Sequence, residues 1–370
     1  IPLVIEQLLA VTIGMADTVM VSSCGEAAVS GISLVDSINF LLITLFSSLA
    51  TGGAVIASQY IGRGDHKSAS LAAKQLFYAS LALSAVLGVI AVFFRKPVLN
   101  MVFGSIEADV MAHAQIYFLL SAISYPFLAV YNAGAALFRS MGDSRTTMLI
   151  SILMNTINIV GNAILIYGFQ MAAAGAATAS LVSRAVGAII ITVLLLNPRR
   201  MTFYDKLHKP EIHLSMLKSI LQIGVPNGHE NSIFQIGKIL VASIVSGFGT
   251  ISITANAVAG NLASLQVIPG MALGMAMITV VGQCIGAKDY EAVKKYTKKL
   301  MLITYGVVWA MTLLMLLFSK QILSFYSLSE ETTTMTMEVF IVHGICAVIV
   351  WPLALTCRTP CALRTMCALR

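Results

Sequence analysis

Residues 59–65 read Gln-Tyr-Ile-Gly-Arg-Gly-Asp, and residues 283–289 read Gln-Cys-Ile-Gly-Ala-Lys-Asp. Outward from these two stretches, one offset of 224 residues keeps matching. It pairs Pro2 with Pro226, Glu6 with Glu230, Val21-Ser22 with Val245-Ser246, Gly25 with Gly249, Lys74 with Lys298 and Leu76 with Leu300. A two-residue slip then aligns Tyr125-Pro126 with Trp351-Pro352. Pro, Glu, Gly and Asp are not the common filler of apolar helices. An ungapped offset that matches them therefore marks a duplication rather than shared composition.

The duplicated unit is a set of membrane spans. Hydrophobic residues make up 58% of the 370, charged residues 11%, and mean hydropathy is +0.88. Soluble domains carry about 25% charged residues. Apolar runs of the length needed to cross a bilayer as a helix lie near 3–22, 38–61, 76–94, 115–138, 146–169, 171–196, 219–246, 255–286, 301–319 and 337–356. None shows the short period-two alternation of barrel strands. The expected fold is an all-α polytopic membrane protein of two parallel six-helix repeats, with ten spans present in this chain. Six spans separate the copies, so both have one orientation and are related by an axis along the membrane normal.

The formal charge of +7 is a matter of topology. Lys and Arg crowd the segments around 63–74, 139–145, 199–218 and 288–299, whereas the intervening loops carry Arg95, Lys96 and Lys320. The positive-inside rule places the rich loops in the cytoplasm, so the first span runs outward. No nucleic-acid partner is needed to explain the basic balance. The organisation read from these patterns is a lobe over 1–196, a cytoplasmic linker over 197–217, an incomplete second lobe over 218–355 and a tail over 356–370. The chain opens inside an apolar span with no basic region before it, so no cleavable signal peptide is expected. The tail is unlike a membrane helix and reads as out of frame. Codons for Thr356–Cys367, read two bases later, can spell Leu-Pro-Asn-Ala-Leu-Arg-Ala-Ala-Asn-Asp-Val, which parallels Tyr131-Asn132-Ala133 through Asp143.

Several chemistries are excluded. The six cysteines have neither metal-ligand spacing nor a disulfide framework. His229-Glu230 resembles the start of a zinc-protease motif, but Ile233 stands where the second histidine belongs. No phosphate-binding loop is present, which leaves secondary transport rather than ATP hydrolysis on this chain.

Other motifs are more specific. Pro2-x3-Glu6 is followed by Gly14-Met15-Ala16-Asp17-Thr18-Val19-Met20-Val21 and by Gly25-Glu26-Ala27-Ala28-Val29. Gln59-x-Ile61-Gly62-x2-Asp65 recurs as Gln283-x-Ile285-Gly286-x2-Asp289, the fourth span ends Phe138-Arg139-Ser140-Met141-Gly142-Asp143, and the sixth opens Gly175-Ala176-Ala177-Thr178. This ordered set, over residues 1–355, resembles the multidrug and toxic compound extrusion family. The resemblance implies a twelve-helix, two-lobed antiporter that exports organic cations or other amphiphiles in exchange for Na+ or H+. It implies a bacterial multi-pass cell-membrane protein, expected to act as a monomer among lipids, with Na+ or H+ as coupling ion and no other cofactor or metal. A flippase for lipid or polysaccharide precursors is the neighbouring alternative; a membrane-embedded enzyme is the alternative from another class.

Ionisable groups inside spans are functional candidates because burying them in lipid is costly. Asp17 stands in the resemblance's first-helix coupling position, and Glu6, three helical turns earlier, shares its face. Asn155, Asn158 and Asn162 form a stripe on the fifth span, and Asn158 and Asn162 join Asp17, Glu230 and Glu6 as cation-coupling candidates; some family members have Asp at position 162, where an amide has no titratable proton. Glu230 heads a second site after the helix-loosening Pro226, with Gln235 and Lys238 farther along the seventh span. Asp36 joins Asn155, Gln235 and Lys238 as substrate-cavity candidates, and Arg184 is a cation within the sixth span. Pro2, Pro226, Gln59, Gly62, Gln283, Gly286, Arg139, Gly142 and Asp143 are the structural motif positions.

Overall fold

The structure is a computed structural model that describes residues 1–22, 24–103, 107–204, 211–324 and 329–367. Its helices are α1 (Pro2–Ser22), α2 (Glu26–Gly62), α3 (His66–Phe93), α4 (Arg95–Phe103), α5 (Ala108–Ser140), α6 (Ser144–Asn162), α7 (Ala172–Leu195), α8 (Leu214–Ser246), α9 (Thr250–Gly286), α10 (Tyr290–Leu317), α11 (Ser319–Ser324) and α12 (Glu330–Cys367). A π-helical turn, Ala163–Gly168, continues α6. Among the described residues eight helices are long and apolar enough to cross a membrane: α2, α3, α5, α6 with its π turn, α7, α9, α10 and α12. With α1 and α8 they occupy the ten expected spans. The short α4 and α11 lie at the ends away from the basic loops. α12 runs on through Cys367, and its membrane-capable stretch is Glu330–Ile349, short of the tail read as unlike a membrane helix. Its Ala, Leu, Arg and Met residues are good helix formers. Side chains from 350 on, and residues 368–370, lie outside the described set.

The duplication holds in three dimensions to the residue. α2 and α9 are both 37 residues long, α3 and α10 are both 28, and each pair begins and ends at the same offset of 224. The connecting turns explain why. At the end of α2, Gly64 N–H bonds to Ile61 O (3.0 Å) and Asp65 N–H to Tyr60 O (3.0 Å). At the end of α5 the pairs are Gly142 to Arg139 O (2.9 Å) and Asp143 to Phe138 O (3.0 Å); at the end of α9 they are Lys288 to Ile285 O (3.0 Å) and Asp289 to Cys284 O (3.0 Å). Each is the two-bond Schellman closure, which needs a left-handed residue just past the helix. Gly64 (φ 76°) and Gly142 (φ 83°) supply it freely; Lys288 (φ 60°) supplies it under strain. The aspartate that follows caps the next helix: Asp65 accepts from Ser68 N–H (3.0 Å), Asp143 from Thr146 N–H (3.2 Å) and Asp289 from Ala292 N–H (2.9 Å).

Packing follows membrane rules, with small residues letting backbones approach and side chains bonding across helices. Gly53 faces Leu76, Gly134 faces Ile191 and Gly187 faces Met154. α5 is the central helix of the first half, with Phe118, Tyr125, Leu137 and Phe138 fully buried against α2, α3 and α7. The linker is bound to that half. Tyr204 N–H bonds to Leu195 O (2.7 Å), and the Tyr204 ring, 2% exposed, packs on Phe77 with centroids 5.2 Å apart. Gln75 on α3 donates to Glu211 O (2.6 Å) and accepts from His213 N–H (3.1 Å).

Two substitutions test the turns by thermal midpoint in detergent. Lys288→Gly relieves a left-handed side chain and should stabilise by about 0.5–1 kcal/mol after the greater chain entropy of glycine is allowed for. Asp143→Ala should destabilise by about 1 kcal/mol at neutral pH through loss of the cap. Partial burial raises the Asp143 carboxyl, but the bonds from Thr146 and Arg200 outweigh it and hold the group below its usual range. The cap is therefore fully present above the unfolded carboxyl value and fades as pH falls through the folded one. The gap between wild type and variant should close on acidification.

Candidate transport site

α2 carries the decisive pattern. Ser33, Asp36, Ser37, Phe40 and Ser47 lie along one helical face and are exposed, with Thr44 and Thr51 partly exposed on the same line. Ser37, Thr44 and Thr51 return their hydroxyls to carbonyls one turn back, but a carboxylate has no such refuge. A polar face at mid-span that protein does not cover faces water, not hydrocarbon. The stripe therefore lines an aqueous cleft.

Asp36 is the centre of a polar network. Tyr117 hydroxyl (3.0 Å) and Asn39 Nδ2 (3.2 Å) both donate to Asp36 Oδ1. Asn39 Nδ2 also reaches Ser121 Oγ (3.3 Å), and its Oδ1 accepts from Tyr125 hydroxyl (2.8 Å). Arg184 Nη1 donates to Ser124 Oγ (2.6 Å), which in turn donates to Ser121 O (2.7 Å). Three helices, α2, α5 and α7, thus meet around one acid and one base. Sequence reading singled out Asp36 and Arg184 and missed Asn39, Tyr117, Tyr125, Ser121 and Ser124. The spacing of Asp36 with Asn39, and of Ser121 with Ser124 and Tyr125, was the available signal.

The other candidates fall in three places. Glu6 is 7% exposed, at the basic end of α1. Arg139 Nη1 donates to its Oε1 (2.7 Å) and Thr147 Oγ1 to its Oε2 (2.9 Å), so it ties α1 to α5 and α6. Asn155, Asn158 and Asn162 are buried inside the first half. Asn158 Nδ2 donates to Ser180 Oγ on α7 (2.9 Å), Asn162 Nδ2 to Asn158 Oδ1 (3.3 Å) and Asn155 Nδ2 to Ser151 O (2.7 Å). The π turn begins directly after Asn162, and such bulges recur at functional sites. On α8, Glu230 is exposed, Lys238 lies 5.7 Å above the Phe234 ring, and Gln235 is half-buried. The Asp17 side chain lies outside the described residues, although its backbone belongs to α1.

The halves meet toward the basic ends. A Cβ on Gly62 would overlap the Gln283 carbonyl, and one on Gly286 would overlap that of Gln59. Thr279 Oγ1 donates to Arg139 O (2.8 Å) and Gln283 Nε2 to Ser140 O (2.8 Å), so α9 caps the last carbonyls of α5. Gly52 abuts Ile220 O, and Asn231 Nδ2 reaches Ser48 Oγ (3.4 Å). From Thr51 the polar stripe runs away from these contacts, toward the start of α2.

A family model described as MatE matches residues 2–164 and 226–359. The chain belongs to the MatE family. It is similar to the "Uncharacterized transporter YisQ" of Bacillus subtilis, 26% identical over 338 residues that cover 89% of this chain and 73% of that protein. It is also similar to proteins named "Probable multidrug resistance protein NorM": that of Thermotoga maritima (28% over 302 residues, 79% of this chain and 63% of that protein) and that of Bacillus cereus (28% over 355, 92% and 76%). The chain thus spans only part of the length of these relatives. Among solved structures it resembles MATE in the straight conformation, with a TM-score of 0.89, 19% identity, and coverage of 97% of this chain and 80% of that one. As a MatE chain it is a multi-pass membrane protein whose two-lobed helical architecture is that of its structural neighbours.

In this MatE chain the Glu6–Arg139 contact is a largely buried ion pair, with side chains 9% and 18% exposed. Removing one member of such a pair costs about 3–5 kcal/mol, whereas replacing both can be neutral. Arg139→Met should lower the thermal midpoint sharply, and Glu6→Met with Arg139→Met should recover most of the loss. A double variant as unstable as the single one would show that the pair is not what holds α1 there.

Proposed function

We propose that this chain is a secondary transporter that exports amphiphilic, cationic compounds in exchange for Na+ or H+. The exposed polar stripe of α2 carries the reading: an aqueous cleft at mid-membrane depth ends where the two halves close at their basic ends. The drug-resistance names of the similar NorM proteins support the same substrate class. The cycle is alternating access, in which the lobes over 1–196 and 218–355 rock about the cleft.

Asp17 and Glu230 carry the coupling ion in this reading, with Asn158 and Asn162 shaping the cavity beside Asp17. Asp36, Asn155, Gln235 and Lys238 contact or border the substrate. Glu6, held by Arg139 and Thr147, positions α1. The MatE match, and a family of transporters, disfavour an enzyme. A flippase for pyrophosphate-bearing lipids wants several cations in the lobes, and here Arg184 and Lys238 are the candidates, one beside Asp36 and the other on an aromatic ring. Monomeric action is part of the proposal.

Ethidium efflux from cells expressing the chain tests the reading, with Na+ and H+ gradients collapsed separately. Export should fail with one gradient and not the other, and Asp17→Asn should abolish it. Undiminished export by Asp17→Asn removes that residue from the mechanism; no export under either gradient removes antiport.

A further inference from the structure

Lysines gather where α10 begins. Lys294 and Lys298 are one turn apart, as are Lys295 and Lys299, and all four are exposed. Like charges at that spacing repel, and the first turns of a helix are its positive end. Glu291 lies 3.4 Å from Lys294, with both side chains largely in water. Among the described residues Lys295, Lys298 and Lys299 have no carboxylate partner. The first half handles the same place differently. At the repeat offset Lys298 corresponds to Lys74 and Lys299 to Gln75. Lys74 is buried 3.8 Å from the Glu211 carboxylate, and Gln75 bonds to the linker backbone at Glu211 and His213. The linker thus brings an anion to that position on α3, and no described segment does so on α10.

The surroundings on α10 identify a different occupant. Lys295, Lys299, Leu302, Gly306, Trp309 and Leu313 follow one another at three- and four-residue steps along one helical line, and all are exposed. Apart from the two lysines, that line is what a helix presents to hydrocarbon. Leu317 continues it at the far end. From Leu317 back to Lys299 the helix rises about 27 Å, and back to Lys295 about 33 Å. A hydrocarbon core is about 30 Å thick, so both ammoniums stand at headgroup level on the basic, cytoplasmic side. From this geometry we infer that Lys295 and Lys299 form a binding site for the phosphate of an anionic phospholipid, in the place that Glu211 fills in the first half. The acyl chains of that lipid lie along Leu302, Trp309 and Leu313. A zwitterionic lipid brings its own ammonium beside the lysines, so the site prefers a headgroup of net negative charge. A soluble phosphate lacks the chains that the apolar line receives. The second half is thereby tied to the leaflet, as the first half is tied to its linker.

Trp309 reports the site directly. It lies about 15 Å along the helix from Lys299, within reach of a brominated acyl chain, and bromine quenches indole fluorescence. Trp309 and Trp351 are the two tryptophans of the chain, so Trp351→Phe leaves Trp309 alone. The full chain in that background would be placed in phosphatidylcholine vesicles that contain either dibrominated phosphatidylglycerol or dibrominated phosphatidylcholine. Phosphatidylglycerol should quench Trp309 with a relative association constant about fivefold higher, as basic residues at an anionic headgroup imply. Lys295→Gln with Lys299→Gln should bring the ratio close to one, whereas Lys295→Arg with Lys299→Arg should keep it. Arg63→Gln with Lys67→Gln, an equal loss of charge on the first half's cytoplasmic turn, should also keep it. Millimolar glycerol 3-phosphate should leave the quenching unchanged. Equal quenching by the two lipids, a ratio unchanged in the double glutamine variant, an equal fall in the Arg63 and Lys67 control, or displacement by glycerol 3-phosphate would overturn the proposal. None of these readings involves transport, so failure of the lipid site and failure of ethidium export are separate outcomes.

Discussion

A side chain on Gly62 would strike the carbonyl of Gln283, and one on Gly286 would strike that of Gln59. This reciprocal crossing of the α2 and α9 ends is what the rest of the molecule is arranged around. Its symmetry follows from the duplication, since the four residues are two pairs at one offset. It also brings two helix C-termini, each with partial negative charge, into contact. The polar bonds nearby belong to one half's side chains and the other half's backbone: Thr279 and Gln283 answer the carbonyls of Arg139 and Ser140. Around this polar crossing, Leu49, Val55 and Ile56 of the first half pack with Ile220, Met277 and Val281 of the second in one buried apolar cluster.

The constraint spreads upward through the lipid-exposed helices. Hydrocarbon gives no hydrophobic reward for pressing two apolar helices together, so the first half is assembled from glycine contacts and interhelical hydrogen bonds. Asn158 to Ser180 joins α6 to α7, Tyr125 to Asn39 joins α5 to α2, and the Glu6 group joins α1 to α5 and α6. Each link needs a buried polar residue and a matched partner, and the partners define where the helices sit.

Hydropathy and repeat spacing are local, which is why the ten spans and the offset were legible in the sequence, whereas the capping role of the Asp motif positions was not read there. The error at α2 is instructive. Its apolar run was read as 38–61, whereas the helix begins at Glu26. Residues 26–37 include Glu26, Ser30, Ser33, Asp36 and Ser37, and a helix that lines water does not look like a helix that lines lipid. The partners of Glu6 and Asp36 were illegible for another reason: Arg139 is 133 residues from Glu6, and Tyr117 is 81 from Asp36. No period or motif encodes a contact at that separation. The role of Glu6 shows the consequence, because its place beside Asp17 on one helix face said nothing of the guanidinium waiting across the interface.

The halves are equal in backbone and unequal in chemistry. At the repeat offset Asp36 faces Gly260 and Asn39 faces Ala263, so the polar network has no copy on α9. Glu6 and Glu230 are the same acid at the same position, one locked under Arg139 and the other exposed. On α3, Ser70 and Gln75 are uncharged and receive the linker, and Lys74 is buried 3.8 Å from Glu211. Their counterparts on α10 are Lys294, Lys299 and Lys298, all exposed. A lysine at 70 or 75 would leave an ammonium without water beneath the linker, so the first half's neutrality there is what lets the connection bind it. Duplication supplied two matching frames. The Asp36 network and the clamped linker belong to the first, and the bare basic face belongs to the second.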